Sequence, residues 1–419
     1  MKTVMNLLSQ STKTTPIRIR MLAPLLVATC FCGLPAAANG QANYQRLISF
    51  DSAKVPCSSP NSLVEGSDGQ LYGTTYGGGA GSRGTVFKLS KNGSGFRVLR
   101  SFVDSGGDGC SPQAALVEGS DGTLYGTASQ GGTGGGGTVF KLNKDGSGYR
   151  TLRSFNRNGN DGSDPLAGMI EGSDGALYGT TYIGGTVFKL NKDGKGFTVL
   201  HSFGSGRGDG SGPFAGLAQG SDGTLYGTTS AGGKDNGGTV FRLNKDGTSY
   251  KVLHSFNPTD GEGREPHAAL VEGSDGMLYG TTSKGDTNVG AMFKLGKDGS
   301  GFIVLHRFHS PSDFNGNDGI MPLGNLVVGN DGTLYGTTSA GGGGGSLGTL
   351  FKLSPDGSGY SVLHRFANYL EGSGPEGPAL VRASDGALYG ATIGGGDKDV
   401  GIIFKLSGSA ATPPHSQAK

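Results

Sequence analysis

Seven near-copies of one segment run through this chain and restrict its possible folds more than any other feature. Tyr72, Tyr125, Tyr178, Tyr226, Tyr279, Tyr335 and Tyr389 each stand in a Leu-Tyr-Gly triplet, and successive copies lie 48 to 56 residues apart. That period fits a four-stranded propeller blade rather than a helical repeat or a shorter solenoid coil. In the first copy four short segments have strand character, at 63–66, 71–76, 85–89 and 96–102. Asp68-Gly69 parts the first two and Asn92-Gly93 the last two. Both dipeptides supply the positive φ that tight hairpins require. No helical periodicity interrupts them.

The fourth segment decides the topology. It recurs at 99–102, 152–155, 200–203, 253–256, 305–308 and 363–366, but is missing after the last third segment, which ends at Leu406. Its seventh copy, Leu47-Ile48-Ser49-Phe50, precedes the first complete repeat instead. If that strand completes the final blade, every blade has four strands and no array end is left to cap. An open seven-unit solenoid would leave 44–50 unpaired and would need caps that the sequence does not supply. The expectation is an all-β, closed seven-bladed propeller over 44–406, four antiparallel strands to a blade.

Glycine contributes 84 of 419 residues and charged residues only 16%, which excludes both a highly charged disordered chain and the strict triplet of collagen. A formal net charge of +2 gives no reason to expect a nucleic-acid partner. Lys2, Lys13, Arg18 and Arg20 precede an apolar run over 21–34 and then Pro35-Ala36-Ala37-Ala38. This order is that of a secretory signal over 1–38, too short for a comfortable membrane span. A lipid anchor at Cys30 is the competing reading, disfavoured by Thr29 before it. The expected protein is therefore secreted or periplasmic and not membrane-spanning. Removing the signal leaves Cys57 and Cys110, which allow one bridge or two loop-borne thiols.

Gly-Ser-Asp-Gly-x-Leu-Tyr-Gly-Thr-Thr, then Gly-Thr-Val-Phe-Lys-Leu, then Gly-Phe-x-Val-Leu-x-Ser-Phe resembles the GloVer-type, choice-of-anchor tandem repeat of exported bacterial proteins, over 44–406. The resemblance implies export and a propeller-like fold. It carries over no catalytic residue. The polar tail, 407–419, gives no sign of the C-terminal attachment segment found in relatives.

Variation concentrates on one expected face, in the glycine-rich loops between second and third strands and in the fourth-to-first connections; variable loops on a rigid scaffold are where binding usually lives. Tyr76 and Tyr182 depart from serine at one loop position, and His267 and His309 break the repeat and lie near Arg264, Glu265, Lys284 and Asp286 in sequence around the fifth and sixth blades. These eight are the candidate ligand contacts, although no spacing makes them converge. His201, His254, His306 and His364 share one fourth-strand position with Arg100 and Arg153 and read as structural. Equivalence of the seven tyrosines likewise favours packing between blades over ligand stacking.

The Asn/Asp-rich loops 156–164 and 313–318 lack calcium-loop register and read as Asx turns. No metal or cofactor is expected, calcium being the weak alternative. Gly344-Gly345-Ser346-Leu347-Gly348 matches a nucleophile elbow only as glycine-rich sequence does by chance. The leading functional reading is a binding or scaffold propeller for a protein or glycan. Its rival is a polysaccharide-active lyase or hydrolase at the channel mouth, so catalysis is left open.

Overall fold

The computed structural model describes residues 42–51, 57–103, 107–204, 206, 208–285, 289–309, 318–343, 347–377 and 380–408. The expected signal and all but the first two residues of the expected tail lie outside them. The described chain is a seven-bladed β-propeller with one 3-10 turn, Tyr369–Glu371, as its only helical element. Among the described residues no helix is long and apolar enough to cross a membrane.

Blade 1 runs Cys57–Glu65, Leu71–Gly78, Thr85–Leu89 and Arg97–Ser101, each strand antiparallel to the next. Blades 2 to 6 repeat that order, with a first strand of only two residues in each. Blade 7 takes Leu380–Arg382, Leu388–Thr392 and Ile402–Ser407 from the C-terminal end and Asn43–Ser49 from the N-terminal end. Tyr44 pairs with Leu406 and Ser49 with Ile402, so the displaced strand closes the ring.

Seven apolar clusters correspond to the seven interfaces between blades. Tyr72, Val86 and Phe102 of blade 1 pack with Leu124, Phe140 and Leu142 of blade 2. Across the closure, Phe50, Tyr389 and Ile403 of blade 7 meet Leu63, Leu71, Phe87 and Leu89 of blade 1. The repeated tyrosines are therefore interface side chains. Tyr72 is fully buried, and its hydroxyl donates to Asp68 Oδ2 at 2.8 Å in its own Asp-Gly turn. Tyr178 does the same to Asp174 at 2.7 Å, and burial with that carboxylate pushes it up to about 12.

The recurrent Arg/His position forms a clasp between blades. Arg100 lies 3.9 Å over the Tyr149 ring of the next blade and donates to Asp108 at 2.6 Å. His254 stacks on Phe302 at 3.8 Å and 6° and bonds Glu262 at 2.9 Å; His306 stacks on Tyr360 at 3.9 Å and 7° and bonds Asp318 at 3.0 Å. His364 stacks on Tyr44 itself, at 3.7 Å and 1°. A cation, or a neutral imidazole, sandwiched between a ring face and a carboxylate serves either way. At the seventh interface Ile48 occupies the position and joins Phe96 around the apolar cluster.

A second device works on the hairpin face. Glu118 accepts from the amide and hydroxyl of Ser67 in the preceding blade, both at 2.7 Å, and pairs with Lys144. Glu65 does the same for Ser384 at 2.6 and 2.7 Å, again across the closure. In blade 6 Val328 replaces the glutamate, and in blade 7 Arg382 replaces it and donates to Asn330 at 2.6 Å.

Cys57 carries a buried, free thiol 3.2 Å from Thr85 Oγ1, so the bridge to Cys110 that the spacing allowed is not formed. Burial raises the Cys57 thiol above its ordinary value.

Two outcomes follow from the closure and the clasp. Phe50→Ala opens a cavity at the closing interface and should cost about 3–5 kcal/mol by chemical denaturation, while removal of 42–50 should abolish the single cooperative transition. Burial lowers the His201 and His364 pKa values from 6.5, opposed by Asp209 and Glu371 respectively. Below pH 6.5 the unfolded chain therefore binds protons before the folded one does, and stability falls with pH until the folded values are passed. Thermal unfolding between pH 7 and 5 should show this loss, and His201→Phe with His364→Phe should flatten it.

Candidate functional site

A repeated backbone bend builds the axial opening on the loop face. Ser59, Ser111, Asp164, Gly212, Glu265, Met321 and Gly374 all adopt positive φ, between 51° and 61°, and each immediately precedes a proline. Left-handed backbone at a non-glycine residue costs of order 1–3 kcal/mol and persists where the surroundings over-determine it. Here the amide of Glu265 donates to Gly237 O of the preceding blade at 2.9 Å, and its carbonyl accepts from Ser283 N at 3.1 Å. Asp164 is held likewise, by Gly136 O at 2.8 Å and Tyr182 N at 3.1 Å. Proline follows because it has no N–H to satisfy as the chain turns toward the axis. Each proline also packs on a glycine of the preceding blade: a Cβ on Gly238, φ 94°, would sit 2.8 Å from Pro266 Cδ.

The residue after each proline lines a cavity of about 530 Å³ at the axis. In ring order these are Asn61, Gln113, Leu166, Phe214, His267, Leu323 and Glu376, no two neighbours alike. Blades 3 to 6 thus present an apolar and aromatic arc, and blades 7, 1 and 2 a polar one. Tyr76, Ser283, Lys284, Met321 and Ile393 complete the wall. A narrower space of about 160 Å³ continues beneath, between small residues such as Ala115, Gly168 and Gly216. A Cβ on Gly168 would stand 2.8 Å from Ala115 O, so the blades approach closely there.

Phe214 contacts His267 at 4.6 Å and receives Tyr182 edge-on at 5.8 Å and 84°. Burial lowers the His267 pKa below 6.5; Glu265 pulls it up and Lys284 adds to the lowering. Lys284 is itself paired with Glu265 at 2.8 Å. Glu376, although exposed, has no hydrogen bond or ion pair among the described residues, and partial desolvation raises its carboxyl above 4.5.

Of the residues singled out from sequence, Tyr76, His267 and Lys284 line this opening, Tyr182 reaches it through Phe214, and Glu265 reaches it through Lys284. Arg264 bridges Lys284 through its backbone and is not on the cavity wall. His309 lies with the blade 5 clasp, its Nδ1 3.3 Å from Asp318, and is likewise not on the wall. Asp286 lies outside the described residues. Sequence reading missed Glu376, Phe214, Leu166, Leu323, Asn61 and Gln113. Their signal was present, since in every repeat a proline is followed by a residue that differs from those in the neighbouring copies.

A wider basin of about 990 Å³ opens on the hairpin face, but its acids are committed. Burial pushes Glu118 and Glu171 up, and the lysine and serine bonded to each outweigh it and hold both low. Of the two Asn/Asp-rich loops, Asp161 is engaged by Arg153 and Asp318 by His306. Among the described residues no group of three or more His, Cys, Asp or Glu is arranged to hold a metal.

The fold has solved counterparts. A streptogramin B lyase superposes with a TM-score of 0.58 at 16% identity, covering 87% of this chain and 97% of that one. A catalytically inactive virginiamycin B lyase from Staphylococcus aureus, solved with quinupristin, gives 0.57 at 14%, covering 87% and 99%. The extracellular domain of a hybrid two-component system from B. thetaiotaomicron gives 0.57 at 10%, covering 86% of this chain and 39% of that one. At these identities the likeness is one of fold alone. No curated protein matches the chain. The model of the Gloeobacter/Verrucomicrobia repeat matches residues 36–186, 158–313 and 311–416, which together span the whole propeller, and the chain belongs to that family.

Proposed function

We propose that this is an exported binding propeller, secreted or periplasmic, which engages a protein or glycan at the axial opening of its loop face. The observation that carries the reading is the contrast at the seven post-proline positions. Backbone bend, proline and packing glycine recur around the ring, while the side chains delivered to the axis are Asn61, Gln113, Leu166, Phe214, His267, Leu323 and Glu376. A purely structural ring would have no use for that difference. Scaffolds commonly place a few polar groups in an otherwise apolar concavity to fix a ligand's orientation.

A polysaccharide-active enzyme is the second reading. It draws on Glu376 and His267, which line one cavity and whose pKa values are displaced toward each other, up for the acid and down for the base. Against it stands the engagement of Glu265 by Lys284, which leaves Glu376 as the unengaged carboxylate among the described lining residues. The lyases of similar fold lend no residue to either reading.

The test is affinity capture and glycan-array binding by the chain from residue 39 onward, repeated with variants. Phe214→Ala and Leu166→Ala should each weaken binding of a captured ligand at least tenfold, and Ser120→Ala on the hairpin face should leave it unchanged. Equal binding by all three variants would remove the axial opening as the site. Turnover of a uronic or neutral polysaccharide that is lost in both Glu376→Gln and His267→Gln would favour the enzyme instead.

A further inference from the structure

The seven residues around the opening are sorted by chemistry. Leu166, Phe214, His267 and Leu323 stand consecutively on blades 3 to 6, and Glu376, Asn61 and Gln113 consecutively on blades 7, 1 and 2. A ligand filling this space has an apolar body on one side and a polar group on the other. Charge on the polar side is set by what is already neutralised. Lys284 is paired with Glu265, and His267 sits in partly buried surroundings against Phe214. Glu376 is the one lining charge without a protein partner among the described residues.

The hydrogen-bonding sense agrees with the charge. Gln113 donates its side-chain amide to Ser129 Oγ at 3.0 Å, and its carbonyl oxygen takes no bond among the described residues. Glu376 and the Gln113 carbonyl thus offer acceptors to a donor group, and the third residue of the arc, Asn61, carries an amide that serves in either sense. An ammonium group has three N–H donors, no acceptor and a full positive charge. Phe214 and Tyr76 line the same cavity, and aromatic rings suit a partly desolvated cation as well.

We propose that the axial opening recognises an ammonium group carried on an apolar body, with Glu376 as its counter-ion and the Leu166–Phe214–Leu323 side as the seat of the body. The assignment rests on the axial reading of function above and names its ligand chemistry. Such a group occurs both at the free N-terminus of a peptide that begins with a large apolar residue and in a small hydrophobic amine.

Calorimetric titration with four probes tests it: 3-phenylpropylamine, 3-phenylpropanol, the peptide Phe-Ala-Ala with a free N-terminus, and its N-acetylated form. At least one ammonium probe should bind tenfold or more tightly than its neutral counterpart, the factor expected when a charge-assisted hydrogen bond is lost. Glu376→Gln, at an exposed position and with an unchanged Tm, should erase that preference. Tighter binding of the peptide than of the amine identifies a chain terminus as the source, and the reverse identifies a free amine. Equal binding of charged and neutral probes, an unaltered preference in Glu376→Gln, or no binding of either ammonium probe at millimolar concentration overturns the ammonium assignment. The axial reading fails separately, when Phe214→Ala leaves capture of its ligand intact.

Discussion

Closure of the ring is the constraint on which the rest of the molecule depends. Each blade is a small twisted sheet with apolar side chains on both faces, and a sheet of that kind is stable only when both faces are covered. Seven such sheets in a line would leave two faces bare and two ends unpaired. Pairing Asn43–Ser49 with Ile402–Ser407 removes the difference between first and last blade, and Phe50, which follows that strand, is buried in the closing interface. The closure is then repeated on both faces of the ring. Glu65 bonds Ser384 on the hairpin face, and Gly401 approaches Pro60 on the loop face, where an added Cβ would be 2.4 Å from Pro60 Cδ.

Between those limits, each interface satisfies the same needs with a little freedom in side chain. The outer clasp accepts Arg100 and Arg153 at two interfaces and histidine at four, because a ring face and a carboxylate together hold either group. The serine-binding position on the hairpin face accepts glutamate at four interfaces and glutamine at Gln219, whose carbonyl receives Ser173 N at 2.9 Å. Where Val328 interrupts it, the Tyr279–Leu334–Phe351 cluster still joins the blades. Variation in these places is substitution among solutions to one packing problem. It carries no information about a ligand.

The axial opening differs because nothing in the packing specifies its side chains. The bend at the positive-φ residue is fixed by two backbone hydrogen bonds, and the proline by its fit to the glycine of the preceding blade. The next side chain points into the cavity, where neither interblade contact constrains it. Seven nearly equivalent positions are therefore free to vary, and the result is a ring with an apolar half and a polar half. The basin on the opposite face is larger, yet its carboxylates are consumed in holding the blades together. Size of the concavity is a poorer guide here than whether its polar groups are already satisfied.

The sequence alone determined the number of blades, the strands in each and the crossing of 44–50 to the chain's far end, because those follow from periodicity and from one missing segment. It also separated the four repeated histidines from candidates for chemistry, since recurrence at one strand position in successive copies signals a shared packing role. It did not gather the candidate site. Tyr76, His267 and Lys284 belong to blades 1 and 5, and Glu376 to blade 7; only the ring's curvature brings residues hundreds of positions apart to one axis. His309, chosen because it breaks the repeat, is turned to Asp318 instead, and Glu376 was overlooked because its signal lies in the comparison of all seven post-proline positions and not in its own loop. Which side of a strand faces a neighbour is a short-range property that alternation records; which side chains meet across a central opening is set by how seven sheets close around it.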